Sequence, residues 1–260
     1  MIFRGLWCAL GVACVCLAAL AHAEEVGSDA VDPEALALLR AMAEEIAKAE
    51  RLSTTVEVSY EVLQEDGEML EFGGARTVTL RRPDGLRVEF EGRGGQTGGV
   101  VFDGSRIVFF DTDEKVYAAV ERPGDADAAI DFIQARLGAP VPLGELLARD
   151  VVATIVDRVR RGEIVGADTI AGVSCQHVAF SNDAVDFQAW IQREGRPLLH
   201  RLVILYREEE GAPRFRASFR SWNFSPSTPD EAFVFEAGPS FERIPFVVPR
   251  ARVASGEGAE

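Results

Sequence analysis

The sequence predicts an α+β fold of about ten to twelve antiparallel strands, with helices gathered to one side of the sheet. Three observations carry this assignment. Apolar and polar residues alternate with strand period, most clearly Val56, Val58, Tyr60 and Val62 against Thr55, Glu57, Ser59 and Glu61. Residues 171–206 read as a β-meander, three apolar runs separated by Ser181-Asn182-Asp183 and Glu194-Gly195-Arg196-Pro197, both turn chemistry. Between two series of strands, residues 125–161 change to helical spacing.

The elements follow in order. After a polar lead-in, Asp32-Pro33 opens a helix, Asp as N-cap and Pro at the first helical position. Leu36, Leu39, Met42 or Ala43, and Ile46 form its apolar stripe, and it ends near Glu50. A strand at 55–63 turns at Asp66-Gly67 into a return strand at 69–80, where Gly73-Gly74 predicts a bulge or bend. Pro83-Asp84-Gly85 leads into a strand at 86–90. The glycine-rich run 92–99 would need a following helix to cradle phosphate; Val100-Val101-Phe102 is strand, so a hairpin connection is expected. Residues 106–110 are apolar on both faces, which predicts a central strand. Asp111, Asp113 and Glu114 lack the glycine and distal glutamate of an EF-hand loop and read as a solvated hairpin tip before a strand at 116–120.

The insert divides into helices at 125–137, stopped by Gly138 and Pro140, at 143–148, and at 150–161, ended by Gly162. A strand at 163–170 precedes the meander. In the strand 214–223, Phe215, Ala217 and Phe219 face one way, and Arg214, Arg216, Ser218 and Arg220 the other, the arginines expected to pair with neighbouring acids. A loop at 225–230, a short apolar segment at 232–235 and an edge strand at 241–248, interrupted by Pro245, complete the domain. A disordered tail is expected at 250–260.

The first residues predict an address. Arg4, an apolar run from Leu6 to Leu20 and Ala21-His22-Ala23 have the pattern of a signal peptide cleaved after residue 23. The run is short of the ~20 residues of a membrane span, and Glu24-Glu25 follows directly. Neither Cys14 nor Cys16 has, three positions before it, the aliphatic residue of a lipoprotein signal. The expected mature chain is a single domain at 24–249 carrying the insert at 125–161, with no stable membrane span. Cys8, Cys14 and Cys16 leave with the signal, so Cys175 has no partner for an intramolecular disulfide. A net charge of −15 argues against nucleic acid or an anionic membrane as partner. The expected state is a monomer.

No catalytic constellation is present. Cys175 and His177 share a strand face and only His200 could join them as metal ligands, whereas a site needs three or four ligands in one place. A buried thiol beside a hydrogen-bonded imidazole is the expected arrangement. No cofactor is implied. The surplus is apolar: Val58, Tyr60, Val88, Phe90, Phe109, Phe187, Ile191, Leu202, Ile204 and Phe219 fall on inward-facing strand positions and are the candidate ligand-binding lining. The helices could fill this concavity as plain core, which composition favours, or cover it as a lid over a cavity.

Several motifs together resemble a family of predicted periplasmic bacterial proteins. They are Val101-Phe102-Asp103-Gly104, Gly172-Val173-x-Cys175-x-His177-Val178-Ala179-Phe180, and Asp186-Phe187-Gln188-x-Trp190-Ile191 with Leu202-Val203-Ile204-x-Tyr206. Trp222-Asn223-Phe224-x-Pro226 and Asp230-x-x-Phe233-x-Phe235 complete the set, which covers roughly residues 32–246. The resemblance implies the fold of the outer-membrane lipoprotein carrier LolA and receptor LolB, an incomplete antiparallel β-barrel whose open side is covered by helices. It implies a periplasmic location and an apolar cavity, and brings no catalytic residue. The expected function is non-covalent binding of a lipid, lipidated partner or other hydrophobic molecule. The alternative is an envelope sensor or scaffold whose groove binds a protein segment. A metal-binding or hydrolytic role through Cys175 and His177 comes third.

Overall fold

The computed structural model describes residues 30–137 and 142–246. The expected signal segment and the 250–260 tail lie outside these residues. One twelve-stranded sheet forms the body, in the order β12-β6-β5-β4-β3-β2-β1-β11-β10-β9-β8-β7. Two meanders meet in it. The first comprises β1 (Arg51–Leu63), β2 (Met69–Arg81), β3 (Gly85–Gly92), β4 (Thr97–Phe102), β5 (Arg106–Asp111) and β6 (Val116–Glu121). The second comprises β7 (Arg161–Ile170), β8 (Val173–Ser181), β9 (Val185–Gln192), β10 (Leu199–Tyr206) and β11 (Arg214–Asn223). Antiparallel pairing of β1 with β11, through Val56↔Phe219, Val58↔Ala217 and Tyr60↔Phe215, joins them. β12 (Glu242–Arg243) adds to β6 in parallel.

Local chemistry explains the elements. Helix α1 (Pro33–Ala47) starts where the Asp32 carboxylate accepts the Glu34 backbone N–H at 2.8 Å. Its buried side is Ala35, Leu39, Met42, Ala43 and Ile46, with Leu36 only partly covered. Gly67 turns the β1–β2 hairpin at φ +85°, where a side chain would be strained. At Gly73-Gly74 the β1–β2 register runs unbroken, so no bulge forms. A Cβ at Gly74 would lie 2.1 Å from the Glu91 carbonyl oxygen, so the backbones approach too closely there for any side chain.

The insert forms α2 (Ala126–Leu137), α3 (Pro142–Leu147) and α4 (Val151–Thr154), followed by a 3-10 turn at Val156–Arg158. The long helix expected at 150–161 is therefore short. Gly162 is strand rather than helix stop: its carbonyl accepts the Asp32 N–H at 2.8 Å, and a Cβ on it would meet the Phe180 ring at 2.6 Å.

Arg82 binds the helices to the sheet. Its side chain has no solvent exposure; Nη1 donates to the Ala49 carbonyl at 2.7 Å, and Nη2 donates to the Leu147 carbonyl and faces Asp127 Oδ1 at 3.4 Å. One guanidinium thus ties the chain beyond α1, the end of α3 and the start of α2 to the end of β2.

The C-terminal segment covers the convex face and then the edge. Phe233, in a 3-10 turn (Asp230–Phe233), is 1% exposed, sits against Gly85 and lies 4.8 Å beneath the Arg81 guanidinium. Burying a side chain of this size stabilises by about 1.5–3 kcal/mol. Phe235 stacks on Phe110 at 4.6 Å. Phe246 stacks on Phe109 at 5.1 Å, having passed the β6 edge that β12 occupies. This explains the apolar character of both faces of β5: Val108 and Phe110 lie under the C-terminal segment, Ile107 and Phe109 face the helices.

Candidate functional site

The concave face is divided. Over β8, β9 and the adjoining ends of β10 and β11 it is closed: Val178, Ala189, Ile191 and Leu199 have no exposure, and α1 packs on this half. Over β1–β4 the helices stand off. Between Val58, Val78, Leu86, Val88 and Val100 of the sheet and Ile130, Ile133, Leu143 and Leu147 of α2 and α3 lies a cavity of about 670 Å³. That volume falls within the roughly 300–1,000 Å³ of small-molecule pockets. Its mouth lies between the β1–β2 hairpin, with exposed Tyr60 and Val62, and the connection before β11, with exposed Glu209 and Glu210.

Of the residues proposed as lining from sequence, Val58, Tyr60 and Val88 lie on this wall. Phe187, Ile191 and Phe219 are buried in the closed half, with Leu202 and Ile204 packed against the same core. Phe109 is covered by Phe246, and Phe90 lies under the guanidinium of Arg76, 5.3 Å from the ring centroid. The structure thus brings three of the ten together around the opening and places the other seven outside it. Ile130, Ile133, Leu143, Leu147, Val100 and Tyr206 complete the wall. The two isoleucines are legible as a helical face, but nothing local says that this face leaves a gap.

The charged residues lining the cavity are Glu61, Arg76, Glu209, Glu210 and Arg214. Glu61 is neutralised: its carboxylate accepts from Arg216 Nη2 at 2.9 Å and from the Arg214 backbone N–H at 2.9 Å. Burial alone would raise its pKa, but these partners outweigh it and hold Glu61 below the ordinary glutamate range. Tyr206 is pushed far up by burial, with Glu145 and Glu209 adding, so its phenol stays neutral. Arg76 lines the wall without a carboxylate partner among the described residues.

The Cys175–His177 pair lies elsewhere. Cys175 has no exposure, and burial raises its thiol pKa. His177 stacks on Trp190 at 4.0 Å and shares a hydrogen bond with Gln188, while Trp190 Nε1 donates to Asp168 at 2.9 Å. His200 bonds to Gln192 instead. Among the described residues no three His, Cys, Asp or Glu side chains converge as metal ligands. The arginine row of β11 pairs as expected, Arg216 with Glu61 and Glu71, and Arg220 with Glu57 at 4.0 Å. At the acidic tip, Asp111 accepts the backbone N–H groups of Asp113 and Glu114, and Asp113 that of Thr97. No described helix is long and apolar enough to cross a membrane.

The fold is shared with solved structures of low sequence identity. The lipoprotein LppX of Mycobacterium tuberculosis superposes with a TM-score of 0.51 at 16% identity, over 76% of this chain and 98% of that one. LprF of Mycobacterium bovis gives 0.51 at 17% identity, over 80% and 99%. A LolA superfamily protein of Nitrosomonas europaea gives 0.39 at 10% identity, over 77% and 97%. No curated protein matches the sequence. A family model described as predicted periplasmic protein, DUF2092, matches residues 35–247, and the chain belongs to that family.

Proposed function

We propose that this protein is a non-catalytic periplasmic binding protein that holds a lipid, lipidated partner or other hydrophobic molecule between β1–β4 and helices α2 and α3. The observation that supports this most is the cavity of about 670 Å³, whose inner wall is built of Val, Leu and Ile side chains from the sheet and the two helices. An apolar cavity of that size left by a sheet and two amphipathic helices is a cost in lost packing unless a ligand occupies it. The predicted signal segment and the family description support the location. Titration with N-phenyl-1-naphthylamine, an uncharged apolar dye, tests the reading. Saturable uptake of one dye per protein is expected; fluorescence no greater than that of dye with unfolded chain contradicts it.

A second reading has its own observation. Tyr60, Val62, Leu70 and Phe72 are all about two-fifths exposed and continue the cavity wall onto the β1–β2 hairpin, Tyr60 stacked on Phe72 at 6.1 Å. Such an apolar ladder suits a protein segment lying across the mouth. In this reading the protein is an envelope sensor or scaffold.

A further inference from the structure

Arg76 is out of place in the cavity wall. It occupies an inward position of β2, opposite Val56 of β1 and Phe90 of β3, with Gly74 and Val78 two residues to either side. The side chain is partly buried and lines the cavity. Arginine carries five N–H donors. Among the described residues Arg76 makes one hydrogen bond, Nη1 to its neighbour's carbonyl at Ala75, and its guanidinium lies over the Phe90 ring.

Several other arginines of this sheet have carboxylates. Arg216 has Glu61 and Glu71, Arg81 has Asp84 and Asp230, and Arg87 has Glu89. No carboxylate of the described residues acts on Arg76, and the charged side chains at the mouth do not reach it. The Tyr60 phenol stands on the same cavity wall. Burial lowers the Arg76 pKa from its ordinary value, the mark of a cation partly stripped of water and held by one hydrogen bond and one aromatic face. A half-buried guanidinium at an apolar wall with no carboxylate partner keeps most of its N–H donors free for a ligand or water.

We infer that the ligand is an amphiphile with an anionic head, a carboxylate or a phosphate, whose head pairs with Arg76 while its chain lies among Val58, Val88, Ile130 and Ile133. This rests on the cavity-binding reading and names its ligand class. The guanidinium fork suits either head group, since both accept two parallel N–H bonds. The exposed Glu209 and Glu210 at the mouth disfavour anions that bring no apolar chain, which selects an amphiphile over a free phosphate or short acid.

The test uses dodecanoate, dodecyl phosphate and dodecanol, which share one chain and differ in head group. Each is titrated into the wild type and into Arg76→Met. At least one anion should bind the wild type about tenfold or more tighter than dodecanol, and in Arg76→Met the affinities for the anions and for dodecanol should fall within about twofold of one another. Loss confined to dodecanoate assigns a carboxylate, loss confined to dodecyl phosphate assigns a phosphate, and loss of both supports the shared chemistry. Equal wild-type affinity for all three overturns the inference and leaves the apolar cavity standing, and it needs no variant to read. Retention of the preference by folded Arg76→Met overturns it too. Should Arg76→Met not fold, Arg76→Gln replaces it. Binding of none of the three removes the cavity reading along with the inference.

Discussion

Arg82 Nη2 stands 3.4 Å from Asp127 Oδ1, and the Arg82 side chain is wholly shielded from solvent. The same guanidinium holds the Ala49 and Leu147 carbonyls, so one side chain just after β2 adds a polar tie between the helical cover and the sheet. Arg82→Met leaves two buried carbonyl oxygens without this donor, while Asp127 keeps Arg149. We expect a loss of about 3 kcal/mol in urea unfolding. A loss below about 1 kcal/mol would mean the helices are held by their apolar faces alone.

The two halves of the concave face should answer substitution differently. Val88 borders the cavity, so Val88→Phe has room: stability should stay within about 1 kcal/mol of the wild type while apolar dye uptake falls about tenfold or more. Ala189 has no exposure and lies in the closed half, so Ala189→Phe should cost about 1–3 kcal/mol or more. Thermal unfolding and dye titration of both variants distinguish the halves. Equal destabilisation by both would show that the opening over β1–β4 is closed in solution.

Asp103 offers a pH test. Burial alone would raise its pKa; the Ser105 hydroxyl, the backbone N–H groups of Arg106 and Ser105, and the Arg106 guanidinium outweigh this and lower it. A depressed carboxylate contributes stability above its unfolded pKa and loses it as the pH falls through the folded value. The contribution should therefore be complete at neutral pH and fade below the ordinary aspartate value of 3.8. Asp103→Asn should be less stable by about 1 kcal/mol at pH 7, with the gap closing in acid. A gap independent of pH would contradict the charge-assisted turn.

Cys175 should be inert in the folded protein. It is buried, with its thiol pKa raised. In protein lacking residues 1–23, a thiol reagent should react only as fast as the chain opens, and the rate should rise with urea. Rapid labelling of the native state would show that the β7–β8 region opens locally.

Much of this architecture is legible from spacing, because strands and caps are local. The Asp32-Pro33 start, the Asp66-Gly67 turn and the 214–223 strand follow from period and turn chemistry. Parity also tells that Val88 and Ile191 both point inward. It does not tell that α1 covers Ile191 while α2 and α3 stand off Val88, because that depends on contacts between distant parts of the chain. Arg76 carried a usable signal, a charged residue in inward register between Gly74 and Val78. The covering of the convex face by Phe233 and Phe235 had no strand or helix period to announce it.

The most direct test of the binding account is native mass spectrometry of the protein purified gently from a periplasmic extract, followed by solvent extraction of what it carries. The account predicts a stoichiometric apolar adduct that is lost on denaturation, and the extract identifies its head group. A clean unliganded mass, with no adduct after incubation with a lipid mixture, would contradict it.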